Sequence, residues 1–466
     1  QKRLKAWTPI TKQISKINRP KFSLILASEF YPNPKDSKKP FHDDLVNKPA
    51  TRQALASIGR SCVQFIVPPQ TWQQTGDMNI SDFIFPAQSS IKELIWAHSG
   101  RIDNVKEKVD KWFSDIAPED RPKEIIDITV VRKNAGRSSG RLDRTFLPKA
   151  IRTNVETGLS EMCFCYEDPE TKKITITDWK PFTDALFDIA AISPISLGKS
   201  IPERKQRFQE FVDEIISDSV NDKNNPFVMI DSSNCSRLWE WLRDSDININ
   251  NISINNKQYM QDNWKGAIIV RIREDLAPGI IEDKVKTLAK TYPEDTRTKE
   301  ELEANENEII KLSVPSDSKC LYKLDLENET GCMNYISIGR NTLHQNQRGV
   351  SCYRQVDQDK FLTTEQIDEN GKKTYTKFEN KAGLKIKYIE EQKPHIGQWA
   401  TPNPLEIVVT LRKEQDNPDN IAGFVESLRY GYGHFNEWTK LPAPLFFERV
   451  VRDYISAFHL EDDDET

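Results

Sequence analysis

Residues 224–244 read "NNPFVMIDSSNCSRLWEWLRD", an apolar run that ends on Asp231 and passes directly into small polar residues. The run has the length and composition of a buried strand. Ser232, Ser233 and Asn234 are natural N-caps, and the apolar residues of 236–244 predict a helix after them. Asp231 then has two readings. It ends a strand before a capped helix, or it is a carboxylate at the carboxyl end of a buried strand, where α/β folds place metal ligands and catalytic acids.

Working outward, "EIIDITVV" (124–131), "FLPKAIR" (146–152) and "SEMCFCYE" (160–167) are three strand candidates separated by turn material. "WKPFTDALFDIAA" (179–191) and "PERKQRFQEFVDEIISD" (202–218) carry apolar residues at helical spacing, the second with Pro202 at its start. "GAIIVRIRE" (266–274) supplies a further strand. The order is β-β-β-α-β-α-β. Three antiparallel strands followed by parallel ones with helical crossovers is the topology of the ribonuclease H fold, and a fold alone carries no function.

Before this region, "FSLILAS" (22–28) and "SCVQFIVP" (61–68) read as buried parallel strands. "KPATRQALASIGR" (48–60) is a helix between them, and "IKELIWAHSG" (91–100) and "NVKEKVDKWFSDI" (104–116) are helical. This pattern predicts a small Rossmann-like α/β domain over 1–122, with the ribonuclease H-like domain over 123–466. Within the latter, 291–312 is a polar insertion and 460–466 an acidic tail. "CMNYISIGR" (332–340) and "NPLEIVVTL" (403–411) add strands, and "DNIAGFVESLRYGYGHF" (419–435) predicts a late helix. Trp239 and Trp241, two apart on a helix, would point to different faces. One is then core, and the other is free to stack.

At 466 residues the chain is long enough for two or three domains. Its mean hydropathy is −0.65, and no apolar run approaches the roughly 20 residues of a membrane span, so a cytoplasmic protein without membrane contact is expected. It opens on Gln1 rather than Met, so a longer polypeptide is expected upstream; the first residues show no apolar leader. Seven cysteines form no CxxC pair and six histidines no metal-spaced pair, which disfavours a zinc site.

The net charge of −5 argues against indiscriminate coating of nucleic acid, but the charges are segregated. Residues 1–21 hold seven Lys/Arg and no acid. Residues 131–152 hold seven against one Asp, and 339–354 hold three arginines, including Arg340 and Arg348, with no acid. Such segments line a positive channel when folded together, or are solvated loops when apart.

The segment "NPLEIVVTL…NIAGFVESLRYGYGHFNEWTKLPAPLFFERVVRDYI" resembles the carboxyl-terminal end of Argonaute/PIWI proteins. The order "ID…N…LWEWL", "VRIRE", "LEIVV", "LPAPL" is similar to the prokaryotic PIWI-RE branch. "ATRQALASIGRSCVQFIVPP" likewise resembles the MID domain of Argonautes. The resemblance implies a MID domain followed by an RNase H-like PIWI domain that binds a guide strand and its paired target, RNA or DNA. It also implies a role in prokaryotic defence against plasmids or phage, with a partner nuclease and helicase. By position, Arg52 stands where the family's phosphate-binding helix lysine lies and Gln64 where its strand glutamine lies; Lys92 and Arg101 are further candidates. The branch's namesake arginine and glutamate fall on Arg271 or Arg273 and on Glu406. That pair either positions nucleic acid or fixes sheet register. The stretch carrying Tyr430 and Tyr432 could stack bases or pack internally.

Nuclease chemistry on this fold uses carboxylates that hold two Mg²⁺ or Mn²⁺ ions, one on the first strand and one ending the fourth. Asp231 holds the fourth-strand position. The family pattern would place the first-strand acid near Thr129, whereas the acid present is Asp127, two residues earlier on the same face. An aspartate in an apolar central strand needs a metal or a basic partner. Asp184, Asp188, Glu210, His434 and Glu448 are candidates for a further ligand. The set is incomplete, so weak or absent cleavage is expected; an active metal-dependent nuclease and an interaction scaffold are the alternatives.

Overall fold

The computed structural model describes residues 2–17, 21–27, 30–31, 41–42, 47–69, 80–133, 145–168, 171, 173–192, 197, 200–255, 257–259, 261–274, 321–324, 330–337, 362–367, 373–379, 385–386, 405–432 and 439–455. It divides into two compact units: Gln1–Ile272 with Glu327–Met333 and Val408–Thr466, and Arg273–Leu326 with Asn334–Ile407.

The first unit begins with helix α1 (Lys2–Ser15), strand β1 (Phe22–Leu26), helix α2 (Asn47–Ser57) and strand β2 (Cys62–Ile66). β1 and β2 pair in parallel, Leu24 opposite Gln64. Helices α3 (Ile80–Trp96) and α4 (Val105–Trp112) follow. α1 was not anticipated: its basic residues read as a charged segment, and Pro9 lies inside it.

Strands β3 (Glu124–Lys133), β4 (Thr145–Asn154), β5 (Ser160–Glu167) and β6 (Ile174–Ile176) form an antiparallel series. After helices α5 (Phe182–Ala191) and α6 (Ile201–Asn221), strand β7 (Phe227–Asp231) enters parallel to β3. Strand β8 (Ile268–Glu274) adds in parallel to β7. The resulting order β8-β7-β3-β4-β5-β6 is the expected mixed sheet of a ribonuclease H-like domain.

Local chemistry explains the boundaries. Ser200 caps α6 by accepting the Glu203 amide, with Pro202 in the first turn, where its missing N–H costs nothing. Phe208, Phe211, Val212, Ile215 and Ile216 recur at three- and four-residue spacing and are buried against one sheet face. That face takes Ile126, Ile128 and Val130 of β3 and Val228 and Ile230 of β7. By strand alternation, Asp127, Thr129, Phe227, Met229 and Asp231 turn to the other face. There Phe227 meets Phe113 and Phe424 edge to face, at centroid distances of 6.1 and 4.8 Å.

The helix expected over 236–244 does not form. After α7 (Ser232–Cys235) come a turn and a single 3-10 turn, Glu240–Leu242. The indole of Trp239 donates to the Ser253 carbonyl at 2.7 Å and that of Trp241 to the Asn248 carbonyl at 3.0 Å. Freed from helical geometry, the two rings stack on each other at 5.0 Å, and both are buried. Neither is left to stack on a ligand.

Helix α8 (Pro418–Leu428) is capped by Asn417, which accepts the Asp419 amide at 2.9 Å, and ends before the aromatic stretch expected to extend it. Gly423 on α8 lies against α4: a Cβ there would come within 2.3 Å of the Trp112 ring. The last described helix, α9 (Glu448–Tyr454), packs on α2, α5 and β3.

In the second unit, Leu321–Leu324 pairs antiparallel with the Met333–Ser337 strand. Leu362–Ile367, Lys373–Glu379 and Lys385–Ile386 form a separate antiparallel sheet. The insertion over 291–312 and the tail over 460–466 lie outside the described residues.

Candidate functional site

Asp231 sits where a buried strand gives way to a helix. It is the last residue of β7 and the N-cap of α7, its Oδ1 accepting the Ser233 amide at 2.9 Å. Its Oδ2 accepts two further bonds, from Thr129 Oγ1 at 3.1 Å and from Asn234 Nδ2 at 2.8 Å. Thr129 thus stands beside Asp231 on the neighbouring strand, where the family pattern would have an acid.

Asp127 is fully buried two residues back along β3. Lys149 of β4, also fully buried, donates to its Oδ2 at 2.7 Å, and the Ile151 amide donates to Oδ1 at 2.9 Å. Burial pushes the Asp127 carboxyl above its ordinary value, Lys149 and the Ile151 amide pull it back, and Asp231 adds to the rise. Glu448 at the start of α9 faces the same charges. Burial and then Asp231 push its carboxyl up to about 7, against the pull of Lys149 and Arg452.

A two-metal centre needs carboxylate oxygens that converge with lone pairs to spare. Here five donors take most of the roughly eight lone-pair sites of Asp127 and Asp231, and one of them is a fixed ammonium, which weighs most against a metal. A divalent ion about 5 Å from that ammonium would be repelled by roughly 7 kcal/mol at an effective dielectric of about 20. Among the described residues no group of three His, Cys, Asp or Glu side chains is disposed to hold a metal ion. As folded, these residues do not fit the two-metal arrangement.

The other acid candidates lie in surface networks. Asp184 pairs with Arg60 at 2.8 Å, and Asp188 with Lys180 at 2.6 Å and Arg60 at 3.4 Å. Glu210 accepts from Gln206 at 2.8 Å and pairs with Arg207 at 3.4 Å. His434 lies outside the described residues.

On the Rossmann-like side, Arg52 of α2 is nearly covered. Its guanidinium pairs with Asp453 at 3.0 Å and lies 5.4 Å from the Phe65 ring centroid and 5.7 Å from that of Tyr454. Lys48, one helical turn earlier, also lies over Phe65, at 5.9 Å. Gln64 is half-buried on β2 beside Phe65. Lys92 is exposed on α3. Arg101 pairs with Asp103 at 3.1 Å and lies over Trp96. Tyr454 accepts the Val63 amide at 2.9 Å, so α9 reaches both β2 and the carboxylate face.

Arg273 and Glu406, both in the second unit, pair at 3.0 and 3.1 Å through two guanidinium nitrogens. The Nη2 contact is a hydrogen bond to Oε1, and the Nε contact with Oε2 is an ion-pair approach. Arg271 turns elsewhere and, nearly fully buried, donates to the Leu242 carbonyl at 3.1 Å and to Asp244 at 2.7 Å. Of the two tyrosines in the late aromatic stretch, Tyr432 is buried, its ring 4.9 Å from Phe446 and 5.6 Å from Phe447, whereas Tyr430 is exposed. Arg340, Arg348 and most of the basic segments over 131–152 and 339–354 lie outside the described residues, so their convergence is not described.

Lys149 and Lys48 were not singled out from sequence. The only signal for Lys149 was that Asp127 needed a cation; nothing in the spacing said which one.

A mixed sheet of this order, with an aspartate ending the strand that enters parallel to β3, defines an RNase H-like domain following a small parallel α/β domain. Family models match both parts: "RNaseH domain of pPIWI_RE" over residues 125–457 and "MID domain of pPIWI_RE" over residues 1–107. The chain belongs to the pPIWI_RE family.

Among solved structures it is similar to Kluyveromyces polysporus Argonaute with a guide RNA (8% identity, TM-score 0.34, 97% of this chain and 39% of that one). It is also similar to Clostridium butyricum Argonaute bound to a guide DNA and a 19-mer target DNA (11% identity, TM-score 0.35, 97% and 40%). The C-terminal lobe of a budding yeast Argonaute matches at 8% identity with TM-score 0.33, covering 97% and 65%. The chain therefore spans about two fifths of the length of the first two. No curated protein matches it. No helix among the described residues is long and apolar enough to cross a membrane.

Proposed function

We propose that this protein binds a guide strand together with its paired target and does not cut the target itself. The observation that carries the reading is the match, in order, of a MID and an RNaseH domain of one family over most of the chain. The absence of cutting is inferred from the donors that occupy Asp127 and Asp231. In this reading Arg52 and Gln64, with Lys48 beside them, receive the guide's 5′ phosphate, since a guanidinium and an ammonium near a strand end suit that anion. Arg273 and Glu406 position a nucleic-acid backbone. Cleavage falls to a partner nuclease, with a helicase as a further partner that separates strands, in cytoplasmic defence against plasmids or phage.

The test is fluorescence anisotropy with labelled DNA and RNA oligonucleotides, single-stranded and paired, with and without a 5′ phosphate, across a salt series in EDTA. Affinity is expected to fall linearly on a log–log plot, with a slope reflecting several phosphate contacts. A flat salt response overturns the binding reading. Target cleavage with Mg²⁺ or Mn²⁺ that disappears in Asp231→Ala overturns the non-cutting part alone.

A further inference from the structure

A buried aspartate in the centre of a sheet must be neutralised, and on this face the neutralising group is part of the chain. Lys149 lies opposite Thr129 in the β3–β4 register, and Ile151 lies opposite Asp127. The Lys149 side chain therefore reaches diagonally back by one pleat to meet Asp127 at 2.7 Å, with neither side chain exposed. The same strand that supplies the ammonium supplies the Ile151 amide to the other oxygen. Beside this pair, the Thr129 hydroxyl and the Asn234 amide both donate to Asp231 Oδ2. With the Ser233 amide on Oδ1, three neutral donors hold Asp231, while the ammonium of Lys149 is on Asp127.

We propose that Lys149 is a tethered counter-ion that stands in for the divalent metal of this sheet type, so that the carboxylate face is complete without a metal. The claim rests on sheet geometry and not on the guide-binding reading. Its test contains no nucleic acid, so the two fail separately.

The probe is Mn²⁺ alone, its uptake by the full chain followed by the loss of the free-ion EPR signal, with melting curves in EDTA and in Mg²⁺. The native chain is expected to melt within about 1 °C in the two conditions, because a ligand that does not bind the folded state cannot stabilise it. Lys149→Met strands a buried carboxylate and should lower the melting temperature by roughly 5 °C or more. The double variant Asp127→Asn/Lys149→Met, which removes both charges, should recover most of that loss. It also keeps the test decisive if the single variant fails to fold.

Mn²⁺ uptake by the native chain that is lost in Asp231→Asn would overturn the proposal. So would a double variant no more stable than Lys149→Met. No uptake, or uptake that survives Asp231→Asn and so belongs to surface acids, supports it.

Discussion

Glu448 is the residue whose protonation differs most instructively between the folded and unfolded chain. Its carboxyl is pushed up to about 7 from an ordinary value of 4.5. The folded state therefore holds a proton that the unfolded state releases near pH 4.5. The associated stability is fully present below that pH and is lost as pH rises through 7. At most, the ionised residue costs about 3 kcal/mol above pH 7. Glu448→Gln should accordingly be more stable than the native protein at pH 8 and nearly equal to it near pH 4.5, as read from urea midpoints. A variant less stable at pH 8 would mean that Arg452 holds the ionised form in place. Of this cluster, the sequence exposed Asp127 and Asp231, because an acid in or ending an apolar strand stands out. It hid Lys149, which lies in a basic stretch. Only the strand register, which composition does not encode, turns that one lysine inward while Arg152, three residues on, stays part-exposed against Glu161.

At the level of elements, the strands were readable because β3, β5, β7 and β8 are short apolar runs whose edges are marked by turn residues. The 236–244 segment was not, because its helical periodicity is real but loses to two indole hydrogen bonds that fold it back on the chain. The contact between α4 and α8 was equally invisible, since a glycine inside a helix does not announce its neighbour. That contact makes a definite prediction. Gly423→Ala drives a methyl into the Trp112 ring, and overpacking of this kind costs about 1–3 kcal/mol. A guanidinium midpoint unchanged by the substitution would show that Trp112, which is only half-buried, swings aside freely.

On the scale of the molecule, the MID and RNaseH regions recognised by family models fall largely within one compact unit, whose parts share the α9 helix. A fragment of residues 1–122 would lose the Asp453 partner of Arg52 and the Tyr454 acceptor of the Val63 amide. It should melt lower than the full chain and bind an apolar dye, and a fragment as stable as the full chain would show that α9 is dispensable to it.

The Val63–Tyr454 bond joins positions 391 residues apart. During synthesis the amino-terminal strands emerge long before the tyrosine that completes them, and long-range closure of this kind is slow. The seam between β2 and α9 therefore closes only after residue 454 has been made, so every contact β2 makes across it waits on the far end of the RNase H-like domain.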